Sequence, residues 1–217
     1  MSVGQIGRRM LGRHEKRVAD LYRETFVDTT ALAAAVASFS TGPRILEIGC
    51  GDGVVTQALT ACLPEAVVLG IDISEHPGRL YAGDPARASF RSCTAESLVK
   101  EGEPPFDLVV VVDVLHHVDD VLLPSLLSAA GALCRPGGQL AVKEWERNAS
   151  IGYRVGWFSD RVLSGVDVRF FDHEGLLRIV EQNVPNARRI GETRVPPRRS
   201  NVLMAWEIDA APVREPL

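Results

Sequence analysis

The hydrophobic pattern of the chain changes period twice, and the changes divide it into three parts. Up to about residue 42, apolar positions recur at helical spacing. The span 13–27 carries Val18, Leu21, Tyr22 and Val27 as a stripe among charges, and the Ala-rich span 30–39 puts Leu32, Val36 and Phe39 on one face. Ser40-Thr41-Gly42-Pro43 then stops the helix. From 43 to 145, short apolar runs at 44–48, 67–72, 89–91, 106–112 and 139–145 alternate with helical stretches, which predicts a doubly wound parallel sheet. Val109 to Val112 is an unbroken β-branched run, expected of a strand buried on both faces. Between Asp72 and Ser89, Pro77, Gly78, Gly83 and Pro85 oppose a regular helix, because an interior proline costs about 3 kcal/mol, so an irregular loop is expected. In the third part, Asp172 is placed to cap a helix over 173–182. Ala187–Arg194 and Asn201–Ile208 then bracket a proline-containing turn as an antiparallel hairpin.

The first strand runs into Glu47-Ile48-Gly49-Cys50-Gly51-Asp52-Gly53, with a helical pattern from Val54 onward. Glycines let the backbone take left-handed angles and let a ligand approach the main chain, and a helix start offers unpaired amide N–H groups. A dinucleotide site wants G-x-G-x-x-G. Position 54 is valine instead, and Glu47 adds a carboxylate beside the loop. Asp72 ends the second strand about twenty residues on, where nucleotide-binding α/β folds hold ribose hydroxyls. Its plainer alternative is a helix cap.

Glu47-x-Gly49-x-Gly51-x-Gly53, Asp72, the segment from Phe106 to His117, and Arg135-Pro136-Gly137-Gly138 ahead of a fifth strand follow one another in order. Over roughly 44–145 the chain resembles the class I, Rossmann-like S-adenosylmethionine-dependent methyltransferases of small-molecule type. The resemblance implies an α/β fold with a doubly wound seven-stranded sheet, mostly parallel with an antiparallel C-terminal hairpin strand. It implies one domain over 1–217: an N-terminal helical cap (1–42), a cofactor-binding core (43–145), a lid insert (146–171) and a C-terminal helix and β-hairpin (172–217). The implied cofactor is S-adenosyl-L-methionine, with S-adenosyl-L-homocysteine as product. The implied reaction is methyl transfer to an O, N or C atom of a small organic acceptor, in secondary metabolism.

Site residues follow from the same resemblance. Gly49, Gly51 and Gly53 form the loop under methionine and ribose, and Glu47 acts through water or by fixing that loop. Asp72 takes the ribose hydroxyls and Ile73 lies on the adenine face. Thr94, Ala95 and Glu96 form the adenine turn, with Thr94 where the family often has an aspartate. The irregular loop after Asp72 is expected to wall the adenine pocket, and Asp113 and Val114 to close over the methionine. The N-terminal helices and the insert, with Tyr153, Trp157, Phe158, Phe170 and Phe171, are expected as the lid.

Base candidates for catalysis are His117, His116 and Glu144. The histidines follow strand four on the ligand side of such a sheet, where packing against the next helix is the alternative. Strand alternation leaves open whether Glu144 or its neighbours Lys143 and Trp145 face the substrate. Apolar residues make up 46% and charged residues 24%, an ordinary soluble composition, and a net charge of −4 argues against nucleic acid. The basic residues near both ends read as solvated faces. Four cysteines without metal or disulfide spacing, no apolar signal core after Met1 and no membrane-length apolar run predict a cytoplasmic protein. A small-molecule substrate, no metal, no membrane partner and a monomer or homodimer are expected. The alternatives are a non-catalytic S-adenosylmethionine-binding protein and a nicotinamide-dependent oxidoreductase.

Overall fold

The computed structural model of the chain describes residues 27–146, 171–197 and 200–210. Its elements are α1 (Thr29–Ala37), β1 (Arg44–Ile48), α2 (Val54–Cys62), β2 (Val67–Asp72), β3 (Ala88–Ser92) and α3 (Ala95–Glu101). They continue with β4 (Phe106–Val112), a 3₁₀ turn (Leu115–His117), α4 (Leu123–Leu133), β5 (Cys134–Trp145), α5 (His173–Asn183), β6 (Ala187–Arg194) and β7 (Asn201–Ile208). The seven strands lie in the order β3-β2-β1-β4-β5-β7-β6. β3 to β5 pair in parallel, and β7 slots antiparallel between β5 and β6. This is the Rossmann-like α/β sheet expected from the sequence.

Strand alternation builds two cores. Leu46, Ile48, Val109 and Val111 face α3, α4 and α5, while Ile45, Leu108 and Val110 face α1 and α2. Each fully buried Val or Leu contributes about 1.5–3 kcal/mol. The uninterrupted apolar run of β4 is the consequence of covering both faces.

Asp172 caps α5 by accepting from the Gly175 amide at 2.7 Å. α1 begins at a cap the sequence reading overlooked, Asp28, which accepts from the Ala31 amide at 2.9 Å. Leu32, Ala33 and Val36 seat α1 in the core with Leu59 of α2, so α1 covers a face of the sheet and lines no part of the cavity described below. The helix expected over 13–27 and the insert's aromatic residues other than Phe171 lie outside the described residues. A bridge between Glu146 and Phe171 ties the two ends of that insert together.

Two departures from expectation have local causes. The Arg135-Pro136-Gly137-Gly138 segment belongs to β5, because Cys134 already pairs with Phe106, and the register shifts before Leu108 meets Gln139. The loop after Asp72 has no helix, as expected, but beyond Ile73 none of its residues lines the pocket. The Gly78 amide donates to the Gly51 carbonyl at 2.8 Å and the Leu80 amide to Asp52 at 2.9 Å, which folds the loop over the glycine turn. The basic residues of β6 are paired with carboxylates: Arg188 with Glu207, Arg189 with Glu192 and Arg194 with Glu146. They form a solvated surface, as their spacing suggested.

Candidate active site

A cavity of about 490 Å³ opens at the carboxyl ends of β1, β2 and β4, between α3 and α4. β1 and β4 flank the point where the strand order reverses, the place where open α/β sheets bind ligands. Among the sequence-predicted residues, Gly49, Asp72 and Ile73 line one side, Thr94, Ala95 and Glu96 the back, and Asp113, Val114 and His117 the other side. Glu47, Gly51, Gly53, His116 and Glu144 are not part of this lining.

Gly49 has a φ of +75°, and a Cβ there would meet Cγ2 of Val114 at 2.3 Å. Only glycine lets the turn approach β4 so closely. Asp72 locks the turn from β2: one carboxylate oxygen accepts from the Gly51 amide at 2.9 Å and the other from the Ser74 amide at 2.8 Å. A carboxylate has about four lone-pair sites, so it keeps capacity for a ligand's hydroxyls. Glu47 fixes the loop from beneath. It is buried and accepts from the Thr56 hydroxyl of α2, and burial, opposed by that bond and reinforced by Asp72, pushes its carboxyl up to about 8.

The Thr94 hydroxyl, expected on the adenine edge, also caps α3 by accepting from the Ser97 amide at 3.3 Å. Glu96 accepts from the Ser125 hydroxyl at 2.8 Å. Its partial burial acts against ionisation, but the α3 amide and Ser125 outweigh this and hold its carboxyl below the usual range. Ile73 is 83% exposed at the mouth, opposite Leu122 at 55%. Ile48, Ile71, Val118, Leu122 and Leu126 complete the apolar walls and were not anticipated. Leu122 and Leu126 were findable as a one-turn apolar pair following the strand-four histidines.

Beyond His117 lies a buried charge cluster. Asp113 takes a left-handed φ of +54°, and both its oxygens accept from Nζ of Lys143, at 2.8 and 2.6 Å. Glu144 does not face the cavity, which corrects its candidacy as a base. It is 1% exposed and accepts from the Leu115 amide at 2.7 Å, and its other oxygen lies 2.5 Å from Nδ1 of His116. His116 is buried with it, so it too is withdrawn from the candidate bases, while His117 opens on the cavity with its ring 4.0 Å from that of His116. Ligand atoms of Asp113, His116 and Glu144 lie within 4.8 Å of one another, as metal ligands would. The ammonium of Lys143 already spans Asp113, and both Glu144 oxygens are engaged, so the group fits internal ion pairing better than a cation.

His117 is pushed down to about 4 by burial among its neighbours and then by the charge of His116, with Glu144 opposing. Its ring is exposed to the cavity, where water tempers the burial effect, so the adjacent His116 is the part that geometry fixes.

The sheet order, the glycine turn and the acidic residue ending β2 define a Rossmann-like α/β protein with a cavity at its switch point. Residues 17–183 match the model of a family described as methyltransferase domain. The ubiquinone biosynthesis O-methyltransferase of Pseudomonas putida strain F1 is 34% identical over 113 residues, 49% of this chain and 46% of the relative. That of Pseudomonas aeruginosa strain LESB58 is 35% identical over 111 residues, with the same shares. The chain thus spans about half the length of these curated relatives. The Burkholderia thailandensis 1,6-didemethyltoxoflavin-N1-methyltransferase with bound 1,6-didemethyltoxoflavin and S-adenosylhomocysteine has the same fold. It gives a TM-score of 0.66 at 18% identity, covering 97% of this chain and 92% of that one. The chain belongs to the methyltransferase-domain family.

Proposed function

We propose that this chain transfers a methyl group from S-adenosyl-L-methionine to a small organic acceptor, and that a hydroxyl oxygen is the acceptor atom its site favours. The observation that carries the cofactor assignment is the charge of the cavity. Asp72 and Glu96 line it, Asp113 is neutralised by Lys143, and no Arg or Lys is among the described lining residues. That suits a cofactor with an amino group and a sulfonium and no phosphate. A dinucleotide turn needs the third glycine of G-x-G-x-x-G, where this chain has Val54, which argues against a nicotinamide-dependent oxidoreductase.

Asp72 would hold the ribose hydroxyls, Ile73 and Leu122 the adenine faces, and Thr94 to Glu96 its edge, while Gly49, Asp113 and Val114 border the methionine end. When bound, S-adenosylmethionine supplies a methyl carbon on a positively charged sulfur, which keeps the electron pair of the broken bond. The apolar walls around His117 orient the acceptor, and alignment of this kind can supply about 7–11 kcal/mol. Neutral His117 takes the proton that the acceptor hydroxyl loses as its oxygen is methylated, and returns it to solvent. A hydroxyl benefits most, because its oxygen becomes a far stronger acid than imidazolium as it is methylated. The O-methyltransferase names of the matched relatives agree with this choice. The reading of 43–145 as the cofactor core of a single domain belongs to the same proposal.

Calorimetric titration with S-adenosylhomocysteine, S-adenosylmethionine and NADH tests the assignment. We expect micromolar binding of both adenosyl ligands and none of NADH. Asp72→Ala should weaken the former by roughly 10–150-fold, the equivalent of a charged hydrogen bond worth about 1.5–3 kcal/mol. Preference for NADH, or no adenosyl binding by a folded protein, would overturn it.

A further inference from the structure

Glu144 and His116 lie directly behind the wall from which His117 faces the cavity. Glu144 stands on β5 and His116 on the 3₁₀ turn after β4, and the parallel pairing of β4 with β5 brings them together. Glu144 shares a face of β5 with Leu140 and Val142, pointing into the core under α4. There it accepts from the Leu115 amide, fixing the first residue of the 3₁₀ turn, and meets Nδ1 of His116 at 2.5 Å. The next residue of the same turn, His117, is therefore aimed the other way, with its ring tilted 48° against His116.

The charges of this cluster are apportioned by geometry. A carboxylate that is 1% exposed keeps its charge only beside a cation. Lys143 is committed to Asp113, with both carboxylate oxygens on its ammonium. His116 is the cation left for Glu144, and burial, which would push the Glu144 carboxyl up, is outweighed by His116 and then Lys143. An imidazolium locked in that place sits 4.0 Å from the His117 ring, where a second positive charge is disfavoured. The described titratable groups around His117 and its cavity are His116 on its own turn, Asp113 after β4, Asp72, Cys93 and Glu96 on the cavity wall, Asp119 and Asp120 leading to α4, and Lys143 and Glu144 from β5. Of these, His116 and Glu144 act on its proton.

We propose that Glu144 and His116 are a buried, charged positioning pair whose role is to hold His117 as a neutral, cavity-facing proton acceptor. The pair touches neither cofactor nor acceptor. It fixes the turn that aims His117 and supplies the positive charge that keeps its ring unprotonated. The inference rests on the methyltransferase reading in so far as His117 meets an acceptor there.

The test is NMR titration of the histidine-labelled full-length chain, with and without S-adenosylhomocysteine, with His117 assigned through His117→Gln. In the wild type we expect His116 to carry protons on both ring nitrogens at pH 7 and His117 to stay neutral well below the ordinary histidine value of about 6.5. In Glu144→Gln, His116 should lose its charge and the His117 midpoint should rise by about one unit or more, a tenfold gain in proton affinity. His116→Asn should move His117 in the same direction. A purely structural role predicts a loss of thermal stability with an unmoved His117 midpoint, and that result in a folded variant overturns the proposal. So does a neutral His116 in the wild type, which decides the matter even where a variant fails to fold. Failure to bind S-adenosylhomocysteine would defeat the cofactor assignment separately, since the titration is read on the ligand-free protein as well.

Discussion

Glu47 is a carboxyl whose environment departs far from that of a free side chain. It sits on β1 beneath the glycine turn, 2% exposed, with the Thr56 hydroxyl as its partner and Asp72 nearby. A carboxyl raised from 4.5 to about 8 binds its proton more tightly folded than unfolded. It therefore adds stability below pH 4.5 relative to higher pH, and that stability is lost as pH rises towards 8. The slope is about 1.4 kcal/mol per pH unit over that window. Glu47→Gln keeps the size and the bond to Thr56 while removing the proton linkage. Urea unfolding should find the variant more stable than wild type by a few kcal/mol at pH 8.5, with the gap closing to within about 1 kcal/mol at pH 5. A gap that does not change with pH would mean that Glu47 is ionised in the fold.

The irregular loop between β2 and β3 acts as a packing element for the glycine turn. Gly78 has a φ of +73°, and a Cβ there would come within 2.3 Å of the Phe90 ring. Gly78→Ala should therefore destabilise the chain by roughly 2–4 kcal/mol, combining left-handed strain with overpacking, as read from a lowered urea midpoint. The same region marks the border of what sequence patterns could reveal. The strands were legible because β4 is apolar on both faces and the hairpin strands alternate around prolines, and the absence of a helix after Asp72 was legible from Pro77, Gly78, Gly83 and Pro85. Where that loop packs was not, because composition can forbid a helix without choosing a neighbour. The phase of β5 was hidden for a related reason. Period-two alternation places Lys143 and Glu144 on opposite faces but does not label the faces, and Leu140 and Val142 identify the core side of Glu144 only once α4 is in place. His116 and His117, adjacent in sequence, part ways because they stand on a 3₁₀ turn held by Glu144, a partner 28 residues from His116.

At the scale of the molecule, the cavity joins the two sides of the sheet's switch point. Its lining is drawn from the ends of β1, β2 and β4 and from the first turns of α3 and α4. A ligand there contacts both sides of the switch point, so its binding energy is felt by the whole cooperative unit. A ligand that binds only the folded state at 100 times its dissociation constant adds about 2.7 kcal/mol. For a chain of this size, about 1 kcal/mol moves the melting midpoint by roughly 2–4 °C. S-adenosylhomocysteine at that excess should therefore raise the midpoint by about 5–11 °C. NADH at the same concentration should leave it within about 1 °C, because Val54 replaces the third glycine on which a dinucleotide's pyrophosphate turn depends. Asp113→Asn should reduce the adenosyl shift without abolishing it, since it alters the methionine end and leaves the ribose and adenine contacts in place. An equal shift from NADH would mean that the glycine turn accepts a dinucleotide despite Val54, and a shift insensitive to both Asp72→Ala and Asp113→Asn would place the ligand elsewhere on the molecule.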